Sequence, residues 1–115
     1  MSEIYTTGRW KPNPDKEDAF VEAWVSFAAW ASARTGAGVL RLTRDLRDAE
    51  VFLSFGAWES IDAVRAWKTA PDFRDRLAHV LQHVDEFRPT ELSLVATAKE
   101  GAASVETTLA HNHAA

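Results

Sequence analysis

The chain of 115 residues lacks cysteine, so its fold cannot depend on disulfide bonds. It also lacks an apolar run long enough to span a bilayer, and its first residues, MSEIYTTGRW, do not place a basic segment before an apolar one. We therefore predict a cytoplasmic protein that does not enter the membrane. A chain of this length can bury a core as one domain without cross-links.

An excess of positive charge is also missing. Thirteen Lys and Arg side chains are interspersed with 17 Asp and Glu side chains, which gives a formal net charge of −4. Without a basic stripe the surface cannot neutralise a row of phosphates, so we expect no nucleic-acid partner. The sequence has no Ser-His-Asp order, no Gly-rich phosphate loop and no metal-binding motif, so hydrolase, kinase and dinucleotide-binding functions have no support.

What the sequence does contain is a regular alternation of short apolar segments and breaks. Asp15 is the expected N-cap of a long helix, which Gly36 ends, and Ser60 is the expected N-cap of a second helix, which Pro71 interrupts. The pattern predicts strands over residues 3–10, 39–46, 50–58 and 90–99, and helices over residues 16–34, 60–69 and 71–84.

The order β-α-β-β-α-β with a broken second helix is typical of an α+β, ferredoxin-like fold with an antiparallel sheet. Residues 50–58 are apolar on both faces of their strand, and the predicted helices cover only one face. A second copy packed sheet against sheet would cover the other, so we predict a homodimer that forms a dimeric α/β barrel. The alternative is a monomer whose tail crosses the open face. We assign residues 1–100 to the domain and residues 101–115 to a tail that forms an extra strand or is flexible.

The segment FGAWESIDAVRAWKTAPDF, residues 55–73, resembles the antibiotic biosynthesis monooxygenase family: a strand ends in Trp, a Ser opens a helix, and Trp67, a break and Phe73 follow. The similarity extends more loosely over residues 3–98. The resemblance implies the dimeric α/β barrel. It leaves the reaction open, because the family includes cofactor-independent oxygenases of polycyclic aromatic substrates, haem-degrading enzymes, quinol oxygenases and proteins without known activity.

The haem-degrading members provide a test at the level of residues. They pair the Trp at the position of Trp67 with an Asn on the first strand and with a His four residues beyond the position of Phe73. This chain has Leu77 at the place of the His, and His79 lies about 160° from Leu77 around a helix at roughly 100° per residue, so it should face solvent. The residues near the position of that Asn are Thr6, Gly8 and Arg9, and none of them is an Asn. We therefore expect no haem-degrading activity.

The histidines offer no clear metal site. His79 and His83 lie one helical turn apart, a spacing that can hold a metal ion, but no third ligand converges on them from another element. His111 and His113 in the tail are equally isolated. We predict that the chain binds no metal.

Five tryptophans are an unusually large number for a domain of this size. One of them, Trp67, precedes the predicted helix break, where packing is interrupted and a cavity can open. The resemblance implies that Trp67 helps to bind a flat substrate and to steer oxygen, which makes it the candidate catalytic residue. Core packing is the alternative role for the aromatic residues. The candidate substrate-binding residues are Trp24, Phe27, Tyr5, Arg41, Phe73 and Leu77.

The predicted function is a cofactor-independent monooxygenase acting on an aromatic small molecule of polyketide or quinol type. The anion of a phenolic or anthrone-like substrate can pass an electron to dioxygen without metal or flavin, so the protein has to hold the ring, stabilise the oxyanion and exclude water. The polar candidates for that stabilisation are Tyr5, Arg9, Arg41 and Arg88, whose faces depend on strand register. The alternative is a dimer of the same fold that binds a small molecule or is purely structural.

Overall fold

The computed structural model of the chain describes residues 3–106. Within this range the chain forms six strands and three helices. In chain order they are β1 (Ile4–Pro12), α1 (Glu17–Ser32), β2 (Ala37–Arg44), β3 (Phe52–Trp58), α2 (Ile61–Lys68), α3 (Phe73–Leu81), β4 (Val84–Ser93), β5 (Ala96–Lys99) and β6 (Ala102–Val105). No helix within residues 3–106 is long and apolar enough to cross a membrane.

The main sheet has the strand order β2-β3-β1-β4, and every neighbouring pair is antiparallel. One β-α-β half consists of β1, α1 and β2, and the other runs from β3 through α2 and α3 to β4. The two halves interleave, so that β1 and β3 lie side by side at the centre. The predicted α+β, ferredoxin-like fold with a broken second helix is confirmed.

The helices share a single hydrophobic core with one face of this sheet. α1 contributes residues spaced three and four apart, which is the spacing of one helical face. They are Phe20, Ala23, Trp24, Phe27, Ala28 and Ala31. α2 begins as predicted, because the Ser60 hydroxyl oxygen accepts a hydrogen bond from the backbone N–H of Ala63 at 3.1 Å. No polar or charged side chain among the described residues is buried in this core.

The last strand of the sheet begins earlier than predicted. α3 ends at Leu81, and β4 starts at Val84 because residues 84–89 pair with β1 as far as Pro12. Val80, Leu81 and Val84 keep helical spacing beyond the end of α3, which is why the sequence pattern extended the helix to residue 84. Pro89 is tolerated within β4 because β4 is an edge strand.

The predicted strand over residues 90–99 is two strands. β4 ends at Ser93, and β5 and β6 follow as a hairpin whose turn is Glu100 and Gly101, both with positive φ (53° and 82°), as a tight two-residue turn requires. Thus β6 lies within the predicted tail, while residues 107–115 lie outside the described residues. At α1 the predicted cap is wrong: Lys16 is the N-cap and makes no side-chain capping bond.

The face of the sheet opposite the helices is uncovered within the described chain. Its large apolar side chains are Val39, Phe55 and Leu92, which are 60%, 43% and 47% exposed. Strand pairing places Arg41 opposite Phe55 and Tyr5 opposite Leu92, so both polar residues belong to this outer face. β3 is therefore apolar on both sides, as its sequence predicted.

Candidate functional site

A cavity of about 180 Å³ lies between the sheet and the helices. The central strands β1 and β3 form its floor, and side chains of all three helices form the opposite wall. The residues that line it are Thr6, Thr7, Gly8, Trp10, Trp24, Phe27, Leu40, Ser54, Phe55, Gly56, Trp67, Lys68, Phe73, Leu77, Phe87 and Pro89. A mainly apolar pocket with a few polar groups is typical of a site for a small molecule.

The floor of the cavity is built from one short pattern that occurs twice. β1 contains Thr6-Thr7-Gly8-Arg9-Trp10 and β3 contains Ser54-Phe55-Gly56-Ala57-Trp58, so each strand has a hydroxyl residue, a Gly and a Trp at alternate positions. Thr6 pairs with Gly56 and Gly8 pairs with Ser54, around a central pair of Thr7 and Phe55. The two segments are therefore related by a local two-fold axis that passes through the central pair.

The two tryptophans of the pattern bond across the strands to the hydroxyl groups. The Trp10 indole Nε1 donates to Ser54 Oγ at 2.9 Å, and the Trp58 indole Nε1 donates to Thr6 Oγ1 at 3.1 Å. A Cβ on Gly8 would lie 2.7 Å from Trp10 Nε1, and one on Gly56 would lie 2.9 Å from Thr6 Oγ1. Glycine is therefore required at both positions for the indoles to cross the floor.

Trp67 forms part of both the core and the cavity wall. It is 6% exposed, stacks on Trp58 with ring centroids 4.7 Å apart, and meets Phe73 edge-on at 5.1 Å. Its indole Nε1 is buried and has no hydrogen-bond partner among the described residues. A buried N–H without an acceptor costs free energy, which makes Trp67 Nε1 an unusual polar group beside the cavity.

Five of the seven predicted site residues come together around the cavity: Trp67, Trp24, Phe27, Phe73 and Leu77. The other two do not join them. Strand pairing and alternation place Tyr5 and Arg41 on the outer face, and neither lines the cavity, although Thr7 and Phe55 of the same face do. The sequence had left these faces open, and the register now places Tyr5 and Arg41 outside the cavity.

Charged groups take little part in the site. Lys68 borders the cavity, and its ammonium group is paired with Glu91 at 2.7 Å. No Asp, Glu, His, Asn or Gln within the described part of the chain lines the cavity. The resolved pKa shifts belong to groups elsewhere: a hydrogen bond to Glu3 raises the pKa of Tyr5, and a hydrogen bond from Arg44 lowers the pKa of Glu17. The site therefore offers hydrogen-bond donors but no carboxylate or imidazole base.

The sequence model of the antibiotic biosynthesis monooxygenase family matches residues 4–89. The chain belongs to this family. Solved structures with the same fold include SnoaB, a cofactor-independent oxygenase from Streptomyces nogalater (TM-score 0.71, 16% identity, covering 87% of this chain and 96% of that one), Rv0793 from Mycobacterium tuberculosis (0.70, 19%, 88% and 100%), and a conserved protein from Methanosarcina mazei Go1 (0.72, 14%, 79% and 91%). At these identities the likeness shows the fold alone. No match was found among curated proteins.

Within this family fold, the histidines of the described residues lie away from the cavity. His79 is exposed, as predicted, and its ring nitrogen Nδ1 lies 3.0 Å from the Gln82 amide nitrogen. The rings of His79 and His83 are 6.1 Å apart, and residues 3–106 contain no group of three potential ligands that could hold a metal ion. Leu77, at the place of the haem enzymes' histidine, lines the cavity instead. His111 and His113 lie outside the described residues.

The residues that form the floor of the cavity were not predicted from the sequence. Thr6, Ser54, Gly8 and Gly56 were not among the predicted site residues, although the repeated pattern of hydroxyl residue, Gly and Trp at alternate positions was visible in TTGRW and SFGAW. The pattern indicates a common floor only when the two strands pair with Thr7 opposite Phe55, and this register is a property of the folded sheet.

Proposed function

We propose that the chain is a cofactor-independent monooxygenase of a flat aromatic small molecule, bound in the cavity between the sheet and the helices. Membership of the antibiotic biosynthesis monooxygenase family supports the reaction class. The observation that carries the assignment to this cavity is its wall of aromatic side chains around Trp67, whose buried indole N–H lacks a partner among the described residues.

The chemistry requires little from the protein beyond binding. An anthrone-type substrate ionises to an electron-rich anion, the anion passes an electron to dioxygen, and the resulting radicals combine at the ring carbon to form a peroxide. Loss of water from the peroxide leaves a quinone, so one oxygen atom enters the product and the other leaves as water. Because the lining that residues 3–106 provide has no carboxylate or imidazole, the substrate must be acidic enough to release its proton to solvent before the cavity encloses it.

The protein contributes positioning, exclusion of water and stabilisation of the anion. Trp24, Phe27, Phe73 and Leu77 would hold the ring from the helix side in an environment that keeps water out. Trp67, as the proposed catalytic residue, would contact the ring and donate a hydrogen bond from its indole N–H to the developing oxyanion. Donors that are already in place need no reorganisation when the charge forms, which is why they stabilise it effectively.

An oxygen-uptake measurement tests this proposal. The protein is mixed with hydroxylated anthrones and quinols, and we expect enzyme-dependent oxygen consumption with appearance of the quinone. Leu77→Trp, which fills the cavity, should abolish the activity, whereas His79→Trp, two residues away on the exposed side of α3, should not change it. Consumption that is unaffected by Leu77→Trp in a folded protein would show that the reaction does not occur in this cavity.

The absence of a carboxylate or imidazole base from the described cavity lining favours a second function, a dimer that binds an aromatic molecule without turning it over. Binding that is detected by calorimetry for the same anthrones and quinols, without any oxygen uptake, would select this alternative.

The proposed assembly is a homodimer in which two sheets pack through their outer faces. The support is the row of exposed apolar side chains, Val39, Phe55 and Leu92, on a face that the described chain leaves uncovered. Closed two-fold dimers are the commonest way to bury such a face.

A further inference from the structure

We infer that residues 68–77 form a lid over the cavity and that the ion pair between Lys68 and Glu91 is the latch that holds the lid closed. The lid is the segment that runs from the end of α2, through the helix break, to the middle of α3. The inference rests on the proposed use of the cavity as the ligand site, and it adds a device that controls entry and release.

The inner side of the lid belongs to the cavity wall. Lys68, Phe73 and Leu77 line the cavity from this segment, while most of the residues between them are exposed. On the edge strand β4, Phe87 and Pro89 line the cavity as well. All five residues are half-buried or exposed, so a mouth of the cavity lies between the lid and β4.

Apolar packing fixes the lid at both ends. Val64 in α2 and Val80 in α3 are fully buried, and Trp67, which precedes the lid, stacks on Trp58 of β3. Between these anchors the helix is interrupted at residues 69–72, where Pro71 has no backbone N–H to donate. Because a short break between two helices can absorb a change in backbone angles, the lid can lift at its edge while both helices stay folded.

One polar contact holds the edge of the lid that faces β4. The Lys68 ammonium group donates to Glu91 at 2.7 Å, and among the described residues this is the one side-chain hydrogen bond between α2 or α3 and the main sheet. Glu91 pairs with Thr6, a residue of the cavity floor. On its other side the lid rests on α1, where Arg76 lies 4.9 Å from the centre of the Trp30 ring. The edge that can lift is therefore the one that the ion pair closes.

The strength of this ion pair suits a latch. The side chains of Lys68 and Glu91 are 32% and 41% exposed. An ion pair in such contact with water shifts a conformational equilibrium by about threefold, so it favours the closed lid without locking it. Salt should weaken the latch, because the screening length falls to about 3 Å at 1 M.

The absence of cysteine makes entry into the cavity directly measurable. Ser54→Cys places the sole thiol of the chain on the cavity floor, and its rate of reaction with the small neutral reagent methyl methanethiosulfonate reports access. In this background we expect Glu91→Gln to raise the rate about threefold and to remove the increase that sodium chloride causes between about 0.05 and 1 M. The exchanged pair, Lys68→Glu with Glu91→Lys, should restore the slow, salt-dependent rate.

Two controls isolate the latch. Glu17→Gln breaks an ion pair of comparable exposure that joins α1 to the opposite edge of the sheet, and it should leave the rate at Ser54→Cys unchanged. Ser32→Cys, an exposed thiol on α1, should react at the same rate with and without Glu91→Gln. If Ser54→Cys lowers the melting temperature, Thr6→Cys is the second reporter on the floor.

The outcomes separate the lid from the proposed function, because labelling does not require turnover. A floor thiol that reacts equally fast with and without Glu91→Gln, or that reacts in no variant, would overturn the lid. Labelling that depends on the latch, without oxygen uptake from any anthrone or quinol, supports the lid and removes the monooxygenase. Oxygen uptake together with labelling that ignores the latch keeps the monooxygenase and overturns the lid.

Discussion

The two faces of the central sheet are formed by the same strands but differ in what covers them. On the inner face Thr6, Gly8 and Trp10 alternate along β1 and build the floor of a cavity. Alternation places Thr7 and Arg9 on the outer face, although Thr7 also borders the cavity. The inner face is closed by helices, whereas the outer face leaves apolar side chains exposed. One strand can therefore carry the proposed binding site on one side and the proposed assembly surface on the other, so a residue's position in the alternation would decide its role.

The largest expected effect is a difference in stability between substitutions of Phe52 and Phe55, which lie on opposite faces of β3. Phe52 is 4% exposed and packs near Phe20 on the inner face, whereas Phe55 lies on the outer face. Phe52→Ala should lower the free energy of unfolding by about 3 to 5 kcal/mol, because it leaves a cavity in the core. Phe55→Ala should cost less than half as much in urea unfolding. An equally large loss at Phe55, independent of protein concentration, would contradict the division of faces.

The next effect concerns assembly through the outer face. Sedimentation at micromolar concentration should report a dimer, and Phe55→Glu should raise the dimer dissociation constant on the order of 100-fold, because it replaces an apolar contact with a charge that the interface would have to bury. Leu46→Glu is the control: Leu46 is 99% exposed in the loop between β2 and β3, so its substitution should leave assembly unchanged. A wild-type monomer, or equal effects of the two substitutions, would remove the outer face as the interface.

Trp67→Phe should give a smaller loss of stability, about 1 kcal/mol, because the lost volume is offset by removal of a buried N–H that has no partner among the described residues. Trp58→Phe is the matched control and should cost more, since its N–H is bonded to Thr6. Thermal melts measure both, and binding of an aromatic ketone should weaken in Trp67→Phe. A Trp67→Phe protein that melts far below Trp58→Phe yet binds as before would assign Trp67 to the core alone.

Much of this arrangement could be predicted from the sequence where the signal is local. The apolar spacing of α1, the Ser60 cap and the two apolar faces of β3 all depend on neighbours within a few residues. The start of β4 could not be predicted, because Val84 continues the helical spacing of α3 and becomes a strand residue only through pairing with Pro12. Thr6 and Ser54 of the cavity floor were not predicted for the same reason, since the contact between their strands depends on register between distant segments.

The smallest effect lies at the rim between the faces, where Arg44 of β2 stacks over the Phe52 ring and donates to both carboxylate oxygens of Glu17 on α1. The hydrogen bond from Arg44 lowers the folded-state pKa of Glu17, so the carboxylate stabilises the fold above its unfolded pKa and loses that contribution as pH falls through the folded value. Glu17→Gln should therefore lower the melting temperature slightly at neutral pH, and the difference from the wild type should disappear in acid. Glu22→Gln, an exposed carboxylate on the same helix, controls for the loss of one charge. A Glu17→Gln deficit that persists unchanged at low pH would show that packing at this rim, and not the ion pair, joins α1 to the sheet.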